Sequence, residues 1–228
     1  ADKVCVAYEQ LTQYFPPQKI VLTGNPVRQG IRTLGGKRTA AHAHFGLSPH
    51  KKCLLILGGS GGALTINESI LQGLDQFAAA GIQLLWATGL GYYERTQTRL
   101  ATSQKDWTKV LPFIERMDLA YAAADVVISR AGALAIAELC VARKPTIFVP
   151  SPNVTADHQT KNVLPLVKKN AALMVRDDVA RRLLTEKALQ LLANEEQQKF
   201  LANNMQAWAR PQAAEVIVEE IMRLAGLS

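Results

Sequence analysis

The chain has 228 residues, 48% of them hydrophobic, enough to bury a full core in one large domain or one domain with a small addition. No apolar stretch is long enough to span a bilayer, no signal-peptide pattern opens the chain, and Cys5, Cys53 and Cys140, far apart and in apolar contexts, read as buried thiols of a reducing cytosol rather than a disulfide or zinc framework. The formal net charge is +7, but the basic residues are scattered, in pairs such as Lys37-Arg38, Lys51-Lys52 and Arg181-Arg182 with no aromatic-interleaved stripe; this disfavours nucleic acid and leaves an anionic membrane surface or a phosphorylated ligand to account for the charge.

The chain begins at Ala1, with no initiator Met, directly in a strand-like run, Lys3-Val4-Cys5-Val6-Ala7, and so reads as a piece of something longer. A short helical or turn segment ending at Pro16-Pro17 leads to a second strand, Lys19-Ile20-Val21-Leu22. Gly24-Asn25-Pro26-Val27-Arg28 reads as a turn, since proline biases the residue before it towards extended backbone. Residues 29–52 are polar and read as a linker plus a short helix ending near Gly46-Leu47-Ser48-Pro49. Within it, His42 and His44 either bring two imidazoles near a metal or sit on an ordinary helix; no third ligand accompanies them, and the alanine-rich setting favours the helix.

From Cys53 a regular alternation sets in. Strand-like runs lie at Cys53–Leu57, Gln83–Ala87, Lys109–Leu111, Val126–Ser129, Thr146–Val149 and Ala172–Val175. Helix-period segments lie near 64–79, 91–103, 118–124, 133–142 and 157–169, and two more close the chain near 184–208 and 212–225. Strands alternating with helices imply an α/β fold, a Rossmann-like parallel sheet with right-handed crossovers and helices on both faces.

Two glycine-rich turns carry the functional argument. Gly58-Gly59-Ser60-Gly61-Gly62-Ala63 follows the first central strand, and Ser129-Arg130-Ala131-Gly132-Ala133 ends the strand at 126–129 and opens a helix bearing Glu138. Unpaired N–H groups at a strand-to-helix turn suit a phosphate, and glycine lets the backbone approach it. Two such turns in one parallel sheet suggest one ligand with a diphosphate and a sugar or nucleoside at each end. No lysine follows Gly62, so the first turn is not a nucleotidase P-loop. Ser60 either donates to a phosphate or caps the next helix. Glu138 either accepts from both hydroxyls of a ribose or complements the helix dipole. Asp157-His158-Gln159-Thr160-Lys161-Asn162 opens a helix at the carboxyl ends of the strands; either it faces a ligand there, or Asp157 is an N-cap and the rest a solvated first turn.

Together Gly24–Arg28, the turn at 58–63, Phe113-Ile114, Ser129–Leu134 through Glu138, and Asp157-His158-Gln159 with Asn162 resemble the MurG family, glycosyltransferases that add N-acetylglucosamine to lipid I in peptidoglycan synthesis. The resemblance covers nearly the whole chain but only the family's carboxy-terminal half. It implies a GT-B enzyme of which residues 1–23 are a remnant of the acceptor domain, 24–52 a linker and first helix, and 53–228 the UDP-sugar donor domain. It places Arg28 and Ser60 near the diphosphate and Ile114 at the uracil through its backbone. Ala133, Leu134, Ala135, Ile136, Ala137 and Glu138 are to hold sugar, phosphates and ribose, with Glu138 on the ribose hydroxyls, and Gln159 is to reach the N-acetylglucosamine hydroxyls. Gly61 stands where the family often has Gln, and Ala135 and Ala137 replace hydroxyl residues, so only backbone contacts carry over at those positions.

The resemblance further implies sugar transfer with inversion to an acceptor 4-hydroxyl, at the cytoplasmic face of a bacterial inner membrane that the enzyme meets peripherally. The lipid I site and the catalytic base are expected in the half not spanned here, so this piece alone is expected to be inactive. No cofactor is implied, and the absence of Asp-x-Asp fits a leaving-group site without metal. Two other readings stand beside this one: a donor-binding subunit that needs a separate membrane-bound partner, and a dinucleotide-binding domain without transfer chemistry.

Overall fold

The computed structural model describes residues 1–7, 14–101 and 106–227. Most of the segment expected between the first two strands lies outside the described residues, as does the end of the helix expected over 91–103. Strands β1 (Val4–Val6) and β2 (Ile20–Leu22) pair in parallel as a separate two-stranded sheet. Cys5 is exposed there, contrary to the expected buried thiol, because side chains alternate along a strand and it is Val6 that points inward. Cys53 and Cys140 are buried as expected. Helix α1 (Arg38–Phe45) ends where Gly46 takes a left-handed conformation, φ 66°, a common helix stop.

The main body runs β3 (Cys53–Leu57), α2 (Leu64–Gln72), α3 (Leu74–Ala79), β4 (Gln83–Ala87), α4 (Leu90–Ala101), β5 (Thr108–Leu111), α5 (Met117–Ala123), β6 (Val126–Ser129), α6 (Ala133–Ala142), β7 (Thr146–Phe148), α7 (His158–Lys168), β8 (Leu173–Met174), α8 (Asp177–Ala193), α9 (Glu195–Met205) and α10 (Ala213–Leu224). The six strands of its sheet are all parallel, in the order β5-β4-β3-β6-β7-β8. This is the doubly wound order in which the chain works outward one way from β3 and the other way from β6.

Both faces are covered, so the central strands read as continuous apolar runs. Leu55, Leu85 and Val127 point into one core layer with Ala41, Phe45, Tyr121, Leu139 and Leu166. Leu54, Ile56, Leu84, Trp86, Val126 and Ile128 point into the other with Ile66, Ile70, Phe77, Leu184 and Leu191. Helices α1, α5, α6 and α7 therefore cover one face, and α2, α3 and α8 the other.

Two helices differ from the expected spans. The segment over 64–79 breaks at Gly73, where a Cβ would lie 2.3 Å from Thr185 Oγ1: α8 crosses too close for a side chain. The helix expected over 184–208 begins earlier, at Asp177, and divides at Asn194, whose side chain accepts from Gln197 N at 2.9 Å and caps α9. Asp177 and Asp178 in the first turn of α8 are polar residues that suit a helix N-terminus, although they resemble a loop.

Candidate functional site

Strands β3 and β6 are hydrogen-bonded neighbours, with Leu57 beside Ser129, and the chain reverses direction between them. Open α/β sheets bind ligands outside the carboxyl ends of the strands at such a switch point. Both glycine-rich turns open there. The N-cap of α2 is Ala63 and that of α6 is Gly132, and neither helix has a side-chain cap. Among the described residues, neither set of helix N-terminal N–H groups is capped by its N-cap side chain, and each lies at the positive end of a helix dipole. Ser60 is exposed and does not cap α2, so the capping alternative does not hold.

The first turn is also a packing joint. Gly62 has φ 77°, and a Cβ on it would meet Thr88 O at 2.4 Å. Gly89, φ 84°, has its own Cβ position 2.4 Å from the Gly62 backbone, so the turns after β3 and β4 interlock main chain to main chain. Asn67 fastens the joint: its Nδ2 donates to Thr88 O at 3.0 Å, and Trp86 Nε1 donates to its Oδ1 at 2.9 Å. Gly61, by contrast, faces open space.

Glu138 lies in the second turn of α6 and is only 5% exposed. The first turn of α6 has no acidic residue, so Glu138 is too far along to serve the helix dipole in the usual way. Tyr121 Oη donates to its Oε2 at 3.1 Å, and Arg28 Nε lies 3.7 Å from Oε1. Among the described residues, Oε1 is the one buried side-chain oxygen or nitrogen with no hydrogen-bond partner. Burial pushes the Glu138 carboxyl above the ordinary Glu value, against the opposing pull of Arg28 and Tyr121. The tyrosine hydroxyl is pushed well above its usual range, by burial and by Glu138 beside it. Arg28 itself is half exposed, which leaves this side of the carboxylate close to solvent.

Gln159 is held by its carbonyl. Its Oε1 accepts from Ala131 N at 3.1 Å and Ser151 N at 2.9 Å, tying the loop after β6 to the loop after β7. Two backbone donors fix the amide orientation, so the group left for a ligand is the Nε2 donor. Asp157 occupies the N-cap position of α7 with φ 50°, but its side chain makes no capping bond, so the capping alternative fails here too. Asn162 Nδ2 donates to Ala131 O at 3.5 Å.

The Ile114 side chain is buried, Phe113 beside it is exposed, and Ile114 shares no main-chain hydrogen bond with another backbone group among the described residues. Along α6, Leu134 is exposed, Ala133, Ala135 and Ala137 are half-buried, and Ile136 packs in the core. Ile136 and Ala137 also border a cavity of about 830 Å³ that reaches Asn25, Asn162, Trp208 and Arg210. His42 is buried, its ring nitrogens 2.9 Å from Ser48 O and 3.3 Å from Ala123 O, whereas His44 is exposed. No group of three or more His, Cys, Asp or Glu residues able to hold a metal occurs among the described residues. The sequence reading missed Tyr121; the available signal was a tyrosine in an otherwise apolar helix, where a buried hydroxyl needs a partner.

Residues 53–219 match the glycosyltransferase family 28 C-terminal domain. A protein of Parabacteroides distasonis named UDP-N-acetylglucosamine--N-acetylmuramyl-(pentapeptide) pyrophosphoryl-undecaprenol N-acetylglucosamine transferase is 48% identical over 224 residues, 98% of this chain and 61% of its own length. One of the same name in Cytophaga hutchinsonii is 49% identical over 221 residues, 97% of this chain and 59% of its own length. The chain therefore spans about 60% of the curated relatives it matches. Among solved structures, Acinetobacter baumannii MurG superposes with a TM-score of 0.76 at 28% identity, covering 98% of this chain and 60% of that one. A UDP-GlcNAc 2-epimerase from Neisseria meningitidis, solved with UDP-GlcNAc bound, gives 0.64 at 17% identity, with 93% and 57% covered, and shares the fold.

Proposed function

This chain belongs to glycosyltransferase family 28 through its carboxy-terminal domain, and from that premise we propose that it is the donor-binding half of an enzyme that moves N-acetylglucosamine from UDP-N-acetylglucosamine to lipid I. The observation that carries the reading is Glu138: a buried carboxylate with one oxygen that has no hydrogen-bond partner among the described residues, on the helix that opens at the second glycine turn. A buried polar atom without a partner calls for an explanation, and a ribose supplies one by donating its hydroxyls to that oxygen.

In this reading the uracil lies at Ile114 and meets its main-chain groups. The diphosphate sits over the N-termini of α2 and α6, with Arg28 and Ser60 beside it. Transfer with inversion leaves negative charge growing on the departing UDP. Preorganised N–H groups and a guanidinium stabilise that charge without reorganisation, and no metal is required for it. The sugar lies against the start of α6, where the Gln159 amide donates to its hydroxyls. The acceptor site and the base that takes the acceptor proton are assigned to no residue of this chain. We place them in the part of the relatives that it does not span, along with the peripheral contact with the cytoplasmic face of the membrane.

Calorimetric titration tests this. UDP-N-acetylglucosamine is expected to bind and NAD is not; a preference for NAD would overturn the reading in favour of a dinucleotide-binding domain.

A further inference from the structure

One part-buried ion pair links the two glycine-rich turns from behind. Arg130 stands between β6 and the Ala131-Gly132 turn, and its side chain folds back across the sheet end. Its Nη1 donates to the carbonyls of Val149 at 3.0 Å and Pro150 at 3.2 Å and to Asp177 Oδ1 at 2.5 Å. Asp177 is the first residue of α8, and its other oxygen accepts from Thr65 Oγ1 at 2.9 Å. Thr65 is the second residue of α2, directly behind the first glycine turn. The side chains of the pair are 15% and 16% exposed. One carboxylate is thus bonded through one oxygen to the second turn and through the other to the helix that opens from the first.

The chemistry of this joint needs an aspartate. Only a carboxylate offers two acceptor oxygens in opposite directions, one to a cation and one to a hydroxyl. Asparagine in its place turns an NH₂ towards one of two donors, and glutamate adds a methylene to the span. A helix N-terminus acts on an anion only within its first turn, so the spacing of the two N-termini sets how well both engage one diphosphate. We infer that Asp177, through Arg130 and Thr65, is a positioning residue that sets this spacing and so controls affinity for the diphosphate without touching it. The inference rests on the donor-site reading given under Proposed function.

The test compares UDP with uridine, which shares the base and ribose but lacks phosphate, by titration into the wild type and the variants Asp177→Asn, Thr65→Val, Arg130→Lys and Thr65→Val with Arg130→Lys. Asp177→Asn is expected to weaken UDP binding at least tenfold while uridine affinity stays within twofold. Thr65→Val and Arg130→Lys are expected to show the same selectivity and to combine non-additively by threefold or more, since both act through one carboxylate. Thr65→Val removes one hydroxyl and little else, so it decides the matter should Asp177→Asn not fold. Equal losses for UDP and uridine mark a merely structural role and overturn the inference, as does unchanged UDP affinity in the folded variants. A wild-type chain that binds neither ligand sinks the donor-site reading, and this inference with it; a wild type that binds both while the variants show no selectivity sinks this inference alone.

Discussion

Replacing Glu138 by Gln separates its role in binding from its role in the fold. The substitution keeps size and shape, and the Tyr121 hydroxyl still finds a carbonyl oxygen to donate to. What disappears is the negative charge on Oε1, which has no hydrogen-bond partner of its own. The ion pair with Arg28 spans 3.7 Å with the arginine half exposed, so its loss costs about 1 kcal/mol at most. Against that stands the cost of keeping a buried carboxylate ionised. A group whose folded pKa is raised contributes stability that is present below its unfolded value and lost as pH climbs through the folded value. That cost is present wherever the carboxylate is ionised, and the neutral amide avoids it. The thermal midpoint of Glu138→Gln is therefore expected to stay level or rise. UDP binding moves the other way: losing charge-assisted bonds to two ribose hydroxyls costs about 1.5–3 kcal/mol, roughly 10- to 150-fold in affinity.

Calorimetry for affinity and a thermal melt on the same preparation measure both quantities. Wild-type affinity is also expected to fall on acidification, as Glu138 protonates at a pH above the ordinary Glu range, while the variant stays flat. A lower midpoint with affinity falling only in proportion would refute the reasoning by showing Glu138 to be a structural group. Unchanged affinity in a well-folded variant would refute the ribose assignment.

Three other outcomes are expected. Gly62→Ala forces a left-handed backbone on a side chain that collides with Thr88 O, and should cost about 2–5 kcal/mol in denaturant melts; Gly61→Ala, with open space and ordinary φ, should change stability by less than about 1 kcal/mol. Equal effects at the two positions would contradict the interlocked turns. Stability should peak near pH 9: burial lowers Lys144 to about 8, so the folded state binds fewer protons than the unfolded one and gains stability as pH rises above 8, while burial raises Cys53 and Cys140 to about 12, so their contribution drains away above pH 9. Melts across pH 7–11 check this, and Lys144→Met should abolish the rising limb. Affinity for UDP-N-acetylglucosamine should be the same with and without EDTA; a large loss in EDTA would show that a cation carries the diphosphate charge.

How far the sequence reveals each feature depends on whether its cause is local. Cys53–Leu57, Gln83–Ala87 and Val126–Ser129 fall where their apolar runs place them, because strands buried on both faces have no polar interruption. The helix Ala133–Ala142 matches its expected span, opened at Gly132 and closed before Arg143. The misses have distant causes. Gly73 breaks a helix because Thr185 arrives there from a later element, and nothing in residues 64–79 announces it. Glu138 is visible as an acid after a glycine turn, but its orphaned oxygen is not, since that state depends on Tyr121 from α5 and Arg28 from the chain before α1. Ser60 and Asp157 fit local rules for caps, yet neither caps, because Ala63 and the left-handed backbone at Asp157 take over the helix starts.

The site that results is poor in side-chain donors and rich in main-chain ones. Ala135 and Ala137 offer no hydroxyl, and Gly61 no amide. In the donor-binding reading, charge recognition therefore falls on the open N-termini of α2 and α6 and on Arg28. Arg28 already has an anionic neighbour in Glu138, so the ligand does not meet an idle cation. A ribose that donates to Oε1 satisfies the carboxylate with neutral hydroxyls, and the guanidinium can then turn to the diphosphate. One weak ion pair at 3.7 Å is exchanged for hydrogen bonds at both ends. Nucleoside and diphosphate are then read together: a ribose without phosphates frees Arg28 for nothing, and phosphates without a ribose must compete with Glu138 for it. Side-chain hydroxyls along α6 would loosen that coupling by giving the phosphates partners of their own, and this chain has alanine at both positions.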